Sequence, residues 1–436
     1  MSFDDIPVMP LAAGFPPATE AMWRAVAEKS LKGASLDGLA RTIEGVEIEA
    51  LYAAGAAYPA PPRRVAVDRD RPWDIRATAS THDGVLEALA GGASSVLLAV
   101  DAGGVYKLNA LLDGVLLDVA PIALDATSNG LAAAQSLSQV AKSSPAAALA
   151  FHLDPLGADG GHATGLKDWA TAAAGLAETY PRASLFLADG ARIHDAGGEP
   201  AWELAFAIAA GIAYARSLAD AGLATADAFA RIVLGLAVDN RPLIAVAKLR
   251  AARLMWARVT QACGAPTRAV IEARSSRRML TLADPWSNLI RTTQAGFAGA
   301  VGGADAIVLY PHDAGPLAPR LARNAALILM EEAHLGAVDD PTAGAWAFEA
   351  LTTNLARAAW TRFNRIEAAG GAAEALRSGM IADAVAASIA DLDLSIVEKK
   401  TRIIGVTDFR VDLAPEPSAG DAGQSLAPIR LEALVR

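Results

Sequence analysis

The sequence predicts an α/β fold built on a parallel sheet. Short apolar runs rich in Val, Ile and Leu recur between residues 74 and 310, and stretches with helical periodicity separate most of them. Continuous apolar strands that alternate with helices are typical of a parallel sheet covered on its outside. Eight such strands would close a (β/α)8 barrel, and an open doubly wound sheet is the alternative. No G-x-G-x-x-G follows an early strand, so a dinucleotide-binding fold has no support.

Residues 1–70 precede this alternation and form a predicted N-terminal arm. A helix is expected over Ala18–Leu31, opened by Thr19, because a Thr side chain can accept a hydrogen bond from a free amide of the first turn. A strand-like run, VEIEALY, and a Pro-rich segment, AYPAPPRRV, follow. This segment carries too little apolar mass for a core of its own. We therefore expect it to lie on the barrel or on a partner subunit.

The main body is predicted from residue 71 to residue 412. Its eight candidate strands are Asp74–Thr78, Ser95–Val100, Val115–Val119, Ala147–Leu153, Ser184–Ala188, Arg231–Val238, Arg268–Arg274 and Ala306–Tyr310. The helices predicted between them include Leu131–Lys142, Trp202–Ala221, Leu243–Cys263 and Pro285–Ala300. A ninth run, Arg402–Val406, does not fit an eight-stranded count.

The stretch Thr267–Pro311 shows one unit of this pattern most clearly. Asp284 and Pro285 signal a helix start, because Asp can cap free amides and Pro loses no hydrogen bond at the first helical position. The pair Gly302-Gly303 then ends the helix and returns the chain to an apolar strand.

Long helices are predicted after the eighth strand, over Ala318–Glu332, Ala345–Ala368 and Ala372–Ile389. Residues 413–436 form a predicted tail that is linker-like, because LAPEPSAGDAGQS is rich in Ala, Pro, Gly and Ser.

Composition excludes several classes of function. Lys and Arg number 38 against 48 Asp and Glu, and a net charge of −10 argues against nucleic-acid binding. The single cysteine excludes disulfides within the chain and CxxC metal sites. No run of ~18 apolar residues indicates a membrane span, and the acidic start MSFDDIPVMPL does not resemble a signal peptide. These features predict a cytoplasmic protein.

Several motifs carry a family resemblance. They are RPWDIR at 71–76, His194 with Ala196-Gly197-Gly198, AKLRAARLMWARV at 247–259, Ser275 to Thr293 (SSRRMLTLADPWSNLIRTT) and DPTAGAWAFEALT at 340–352. Together they resemble the methylmalonyl-CoA mutase superfamily, and most closely the small, or β, subunit of its heterodimeric bacterial members. The resemblance implies a (β/α)8 TIM barrel that begins at RPWDIR, with an N-terminal arm and extra C-terminal helices. It places Arg402–Val406 beyond the barrel.

The resemblance also implies that the catalytic side chains are replaced. Ala191 and Arg192 stand where catalytic relatives have a Tyr-His pair, and Thr78 stands for the Tyr of the first strand. Glu272 and Arg274 stand for the His and Gln of the seventh strand. His152 occupies, less securely, the place of a Gln on the fourth strand.

Binding residues are equally sparse by this comparison. Arg71 matches an Arg that contacts CoA in the family, although it could equally brace the first strand. No histidine lies in the Asp-x-His-x-x-Gly motif that ligates cobalt, so no cobalamin-binding domain and no bound cofactor are expected for this chain. Adenosylcobalamin would belong to the holoenzyme.

Two further groups of charged residues have open interpretations. Arg274, Arg277 and Arg278 could accept a phosphate, or could be solvated loop or interface charges. His194 and Asp195 could act as a general-acid pair, or His194 could be a structural group.

The expected function follows from these replacements. We expect a noncatalytic small subunit that pairs with a large catalytic mutase chain, or with itself, and stabilises it. The alternatives are an active barrel of a split acyl-CoA mutase that uses a separate cobalamin-binding protein, and a standalone scaffold. A noncatalytic small subunit should have a closed barrel filled by bulky side chains. The candidates for this filling are Leu97, Leu98, Leu185, Leu187, Val233 and Leu236.

Overall fold

The computed structural model describes residues 14–16, 18–53, 58–62, 70–101, 103–125, 129–158, 165–410 and 426–435. The chain divides into two compact units: residues 1–43 with 47–57, and residues 44–46 with 58–436. The linker-like stretch 413–425 lies outside the described residues. So do residues 63–65, which end the Pro-rich segment AYPAPPRRV.

The smaller unit contains the helix predicted in the N-terminal arm. Helix α1 spans Glu20–Ser30, and the Thr19 hydroxyl accepts a hydrogen bond from the amide of Met22 at 3.2 Å, as the capping argument predicts. A 3₁₀ turn at Leu36–Leu39 leads to strand β1, Arg41–Ile43, which pairs with β2, Val46–Ile48.

The larger unit is a closed eight-stranded parallel barrel, which confirms the predicted fold class. Its strands in chain order are β3 (Asp74–Ala79), β4 (Ser95–Ala99), β5 (Ile122–Asp125), β6 (Ala150–Leu153), β7 (Ser184–Asp189), β8 (Ile232–Val238), β9 (Val270–Ser275) and β10 (Ala306–Val308). Each strand pairs with the next, and β10 closes the barrel on β3 with Ala306 opposite Asp74.

One of the eight predicted strands was placed wrongly. Residues 115–119 form turns, with Leu116 73% and Val119 77% exposed, and the third barrel strand is Ile122–Asp125. Two short apolar runs lie on either side of Pro121, and their composition does not distinguish them. Pro121 lacks an N–H and stands immediately before the strand, a position that proline tolerates.

Helices surround the barrel and continue after it. They are α2 (His82–Ala90), α3 (Leu108–Leu111), α4 (Gly130–Val140), α5 (Pro155–Ala158), α6 (Leu166–Thr179), α7 (Ala191–Asp195), α8 (Pro200–Asp220), α9 (Thr225–Ala230), α10 (Pro242–Ala262), α11 (Ser287–Val301), α12 (Ala318–Leu327), α13 (Trp346–Ala368), α14 (Ala372–Arg377) and α15 (Met380–Val397). A π-helical turn, Ile328–Glu332, follows α12. Helix α13 packs across α8 and α10 on the outside of the barrel.

The helix predicted over Ala372–Ile389 is two helices. Gly379 has a φ of +83° between α14 and α15, a left-handed conformation that ends one helix and lets the next begin. Helix α11 begins at Ser287, two residues after the predicted start at Pro285, and Trp286 is its N-cap residue. The Asp284 side chain still accepts a hydrogen bond from the Ser287 amide at 3.3 Å, as the capping argument predicts.

The segment after α15 lies outside the barrel, as the resemblance implies. Residues 403–408 form a turn whose only sheet-like pairing is a single bridge from Ile404 to Asp408. Part of the predicted tail is ordered on the barrel: residues 426–435 are described and include a 3₁₀ turn at Leu431–Leu434. Among the described residues, no helix has the length and apolar composition needed to cross a bilayer.

One layer of the barrel interior is apolar. Leu97, Ala123, Ala150, Val308 and Tyr310 form a buried cluster contributed by β4, β5, β6 and the end of β10. Leu97 is the largest aliphatic side chain in this set, and two of its four neighbours are alanines. It therefore fills space that these two short side chains leave open.

We predict that Leu97→Ala lowers the free energy of unfolding by about 3 kcal/mol, because a cavity opens among rigid strands. Chemical denaturation followed by circular dichroism measures the loss. Leu116→Ala is the matched control and should change stability by less than about 0.5 kcal/mol, since Leu116 is exposed. Equal effects of the two substitutions would contradict this assignment of Leu97 to the barrel core.

Candidate functional site

A charged cluster centred on Glu272 lies inside the barrel. The Glu272 carboxylate is bonded to the guanidinium of Arg76, and it accepts a hydrogen bond from Nε of Arg274 at 2.7 Å. Glu272 and Arg274 come from β9, whereas Arg76 comes from β3. Strand β10 pairs with both of these strands and separates them, so the contact crosses the interior.

The other guanidinium nitrogens of Arg76 also form hydrogen bonds. Its Nη2 lies 2.7 Å from Oδ2 of Asp74, and its Nε donates to the Ser95 hydroxyl at 2.9 Å. The Ser95 hydroxyl in turn donates to Asp74 at 2.6 Å. Arg76 thus bridges two carboxylates, which is the forked geometry that a guanidinium provides.

His152 of β6 approaches the same carboxylate from the opposite wall. Its Nε2 lies 3.6 Å from Glu272, which is too long for a hydrogen bond, and its Nδ1 lies 3.1 Å from the Leu124 carbonyl. Burial, only partly offset by Glu272, lowers the pKa of His152 to about 4. The imidazole is therefore neutral at pH 7, and the contact is not an ion pair.

The ionisation of Glu272 is set by its neighbours. Burial alone would raise its pKa, but the positive charges of Arg274 and Arg76 outweigh burial and hold the pKa well below its usual range. Glu272 therefore stays charged throughout the physiological range.

This cluster corrects part of the prediction of an aliphatic barrel interior. By strand register, Leu97, Leu187 and Val233 do point inward. Leu98 and Leu236 occupy the alternate positions and face the helices. At the level of Glu272 the filling consists of charged side chains. Glu272 is 0% and Arg274 6% exposed, so solvent does not reach the middle of the barrel.

The structure distributes the predicted site positions over three places. Thr78, His152, Glu272 and Arg274 lie on barrel strands, and the last three are in contact or nearly so. Ala191 and Arg192 lie in α7, just past the carboxyl end of β7, where Arg192 donates to the Leu156 carbonyl at 3.2 Å.

Arg71 lies apart from the other predicted positions. It is exposed and precedes β3, at the amino end of the barrel. The strands are parallel, so Arg71 and the Ala191-Arg192 pair belong to opposite ends of the barrel, with the Glu272 cluster on the axis between these ends.

A second buried cluster lies at the carboxyl end of the barrel. Nε2 of His194 is 2.8 Å from the Ser276 hydroxyl, and Nδ1 of His194 is 3.6 Å from the Glu203 carboxylate. Glu203 forms an ion pair with Lys248 and accepts a hydrogen bond from the amide of Ala237 at 2.7 Å. The order Ser, His, Glu is that of a hydrolytic triad, but the distance from His194 to Glu203 is too long for the hydrogen bond between base and carboxylate.

Burial argues against nucleophilic chemistry at this triad. Ser276, His194 and Glu203 are all at most 1% exposed, so no substrate carbonyl can approach the hydroxyl. Burial raises the pKa of Glu203 to about 7 and lowers that of His194 well below its usual value. His194 is therefore a neutral structural group, which supports the structural alternative over a general-acid pair with Asp195.

Only one of the three arginines of the 274–278 segment, Arg277, is exposed to solvent. Arg274 and Arg278 are buried, and Arg277 places its guanidinium 4.1 Å from the centre of the Tyr310 ring. The Arg278 side chain binds Glu44 at 2.6 Å and the Gly198 carbonyl at 3.4 Å. The expectation of loop charges exposed to solvent is therefore wrong for Arg274 and Arg278 and confirmed for Arg277, which is exposed.

Sequence reasoning missed Asp74, Arg76 and Ser95 as members of the central cluster. A signal was present, because D-I-R-A-T places two charges at alternate positions of a strand in a closed barrel, and alternate residues share one face. Within the residues that the structure describes, no group of His, Cys, Asp and Glu side chains is arranged to hold a metal ion.

Comparison with known proteins adds a family match. A family model described as methylmalonyl-CoA mutase matches residues 166–424. The methylmalonyl-CoA mutase small subunit of Streptomyces virginiae is 36% identical over 95% of this chain and 75% of the relative. The probable methylmalonyl-CoA mutase small subunit of Mycobacterium tuberculosis (strain ATCC 25618 / H37Rv) is 37% identical over 89% of this chain and 69% of the relative. The methylmalonyl-CoA mutase small subunit of Propionibacterium freudenreichii subsp. shermanii is 31% identical over 94% of this chain and 72% of the relative.

We predict that Glu272→Gln lowers the free energy of unfolding at pH 7 by about 3 to 5 kcal/mol, because Arg76 and Arg274 lose their buried carboxylate. The folded-state pKa of Glu272 is depressed, so its contribution is complete above the unfolded value near 4.3 and declines below it. The difference between wild type and variant should therefore shrink by about 1 kcal/mol between pH 7 and pH 3.5.

Urea titrations at both pH values measure this difference. Glu374→Gln is the matched control, because it removes a carboxylate from an exposed pair with Arg377 and should leave stability almost unchanged. A pH-independent cost for Glu272→Gln would show that the charge of Glu272 is not what stabilises the barrel.

Proposed function

Because this chain belongs to the methylmalonyl-CoA mutase family, we propose that it is the noncatalytic small subunit of such an enzyme. The proposed holoenzyme interconverts methylmalonyl-CoA and succinyl-CoA, and a large homologous chain carries out the reaction. The role of this chain is to pair with the large chain and stabilise it. The names of its relatives, methylmalonyl-CoA mutase small subunits, support this role.

The observation that carries the proposal is the filled barrel. Catalytic chains of the family thread the pantetheine arm of the acyl-CoA through a channel lined by small polar side chains. Here Glu272, Arg76 and Arg274 bridge the interior, and Glu272 is inaccessible to solvent. Opening a channel would separate a buried carboxylate from its arginines, which costs several kcal/mol.

The described histidines at the carboxyl end of the barrel do not fit a cobalamin. His194 faces Ser276 and is buried, and His312 lies 3.3 Å from Asp313 and is also buried. Neither presents its imidazole outward to a cobalt ion. We therefore assign adenosylcobalamin to the partner subunit and derive no chemical step for this chain.

A second candidate is an active barrel of a split acyl-CoA mutase. It is favoured by Arg71, which is exposed and therefore free to meet a CoA phosphate at the amino end of the barrel. It is opposed by the replacement of the Tyr-His pair by Ala191 and Arg192. A scaffold without a mutase partner is a further alternative, and failure to bind a large subunit would favour it.

We predict that the purified chain alone neither retains adenosylcobalamin in gel filtration nor converts methylmalonyl-CoA. Reconstituted with a large subunit, the complex should keep its turnover within twofold when this chain carries Arg192→Ala or Thr78→Ser. Replacing the corresponding Tyr or His in the large subunit should abolish turnover. A loss above a hundredfold from Arg192→Ala, in a complex that still assembles, would support the split-mutase reading instead.

A further prediction concerns assembly through the N-terminal arm. Deleting residues 1–40 removes α1. It keeps Glu44, which lies between β1 and β2 and whose carboxylate binds Arg241 and Arg278. We expect this variant to bind a large subunit at least tenfold more weakly, while its melting temperature is unchanged and its far-UV circular dichroism falls only by the contribution of α1. The helix-surface variant Arg24→Gln is the control and should assemble normally. Full-affinity assembly of the deletion variant would show that the arm does not hold the partner.

A further inference from the structure

Residues 426–435, which we call the C-terminal strap, lie across two loops at the carboxyl end of the barrel. The amide of Ile429 donates to the Asp195 carbonyl at 2.8 Å, and the amide of Leu431 donates to the Arg278 carbonyl at 2.9 Å. Asp195 ends the short helix α7 in the connection after β7, and Arg278 belongs to the loop after β9. Alternate strap residues thus bind two different loops through their main chain.

Two aliphatic side chains of the strap occupy apolar sites. Leu431 packs in a buried cluster with Leu392, Ile396, Ile403 and Val406. Ile429 lies against Gly197, where an added Cβ would come within 3.1 Å of Cδ1 of Ile429 and within 2.5 Å of Ile389. Gly197 also has a φ of +108°, so a residue without a side chain is required there on both counts.

The strap is fixed at a third point by a buried carboxylate. Glu432 is 1% exposed, and its oxygens accept hydrogen bonds from the amides of Leu282 at 2.8 Å and Ala283 at 3.3 Å. Two successive amides that converge on one carboxylate form an anion-binding nest, and such charge-assisted bonds are strong. Arg430, between the two aliphatic residues, is exposed and adds a bond to the Leu280 carbonyl at 3.2 Å.

The loops that receive the strap are held by contacts that do not involve it. Arg278 binds Glu44 and the Gly198 carbonyl through its side chain, and the Arg277 amide donates to the Asp195 carboxylate at 3.0 Å. These bonds join the two loops to each other. These two loops are therefore linked without the strap, which lowers the entropic cost of binding a peptide across them.

We propose that the carboxyl end of this barrel carries a peptide-binding site, which the C-terminal strap fills as an exchangeable intramolecular ligand. The site takes a short segment that is extended at Arg430 and enters a 3₁₀ turn at Leu431. Its sequence has two aliphatic residues separated by one exposed residue and followed directly by Glu, as in Ile429-Arg430-Leu431-Glu432. Two main-chain hydrogen bonds give affinity, and the two apolar sites and the amide nest give specificity, the usual division in peptide recognition.

This site gives a role to the two motif segments that catalysis does not use. The loop 194–198 supplies Gly197 and the Asp195 carbonyl, and the loop 276–283 supplies the Arg278 carbonyl and the amide nest. Both belong to the motifs that carry the family resemblance. The inference does not depend on the proposed subunit role, because it requires only contacts within this chain.

The test uses the full chain with a specific protease site placed between residues 413 and 425. After folding and cleavage, far-UV circular dichroism should be unchanged. A fluorescent peptide of residues 426–436 should displace the cleaved strap and bind saturably in anisotropy measurements. The same peptide with Glu432→Ala should bind at least tenfold more weakly, because the nest loses its anion. A peptide with Ala433→Ser is the control and should bind as well as the wild type, since Ala433 is exposed.

Three outcomes would overturn the proposal. Loss of circular dichroism when the strap leaves would show that it is an integral part of the core. Failure of excess peptide to exchange with the cleaved strap in a folded protein would show that no exchangeable site exists. Equal binding of the wild-type and Glu432→Ala peptides would show that the nest does not recognise the carboxylate. Hydrogen exchange at the amides of Leu282 and Ala283 provides an independent readout, because strap release should expose both.

Discussion

The rest of the barrel interior depends on the ion pair between Glu272 and Arg76. It joins β9 to β3 across β10, and Arg274 and Asp74 extend it on either side. A carboxylate in a dry interior is stable only with compensating charges, so each member depends on the others. The cluster fills the middle of the barrel with charged side chains, and the proposed noncatalytic role rests on this filling.

The sequence predicts the fold well because its strands are buried on both faces. Continuous apolar runs such as IVLGLAV at 232–238 leave little choice of structure, and caps such as Thr19 and Asp284 mark helix starts by local chemistry. Prediction fails where two segments are equally apolar. VLLDV at 115–119 and IALD at 122–125 differ in burial only because of tertiary packing, which periodicity does not report.

The candidate site is harder to predict, because its chemistry arises from residues distant in sequence. Arg76 and Glu272 are 196 positions apart, and Ser276 and His194 are 82 apart. The replaced positions Glu272 and Arg274 can be identified by resemblance. That they form a charged bridge with Arg76, and that Ser276 and His194 are sealed from substrate, depends on the closure of the barrel. Similarly, the linker-like composition of the tail gives no indication that Leu431 and Glu432 are buried.

The position of the strap in the chain also affects how the protein folds during synthesis. Glu432 binds the amide of a residue that precedes it by 150 positions. At ribosomal rates of roughly 5 to 20 residues per second, the loop after β9 leaves the ribosome on the order of 10 to 30 seconds before its cover does. During this interval the aliphatic site for Leu431 and the amide nest are open on a nascent chain. The barrel is therefore synthesised with this surface uncovered, and the strap covers it only after residue 432 has left the ribosome.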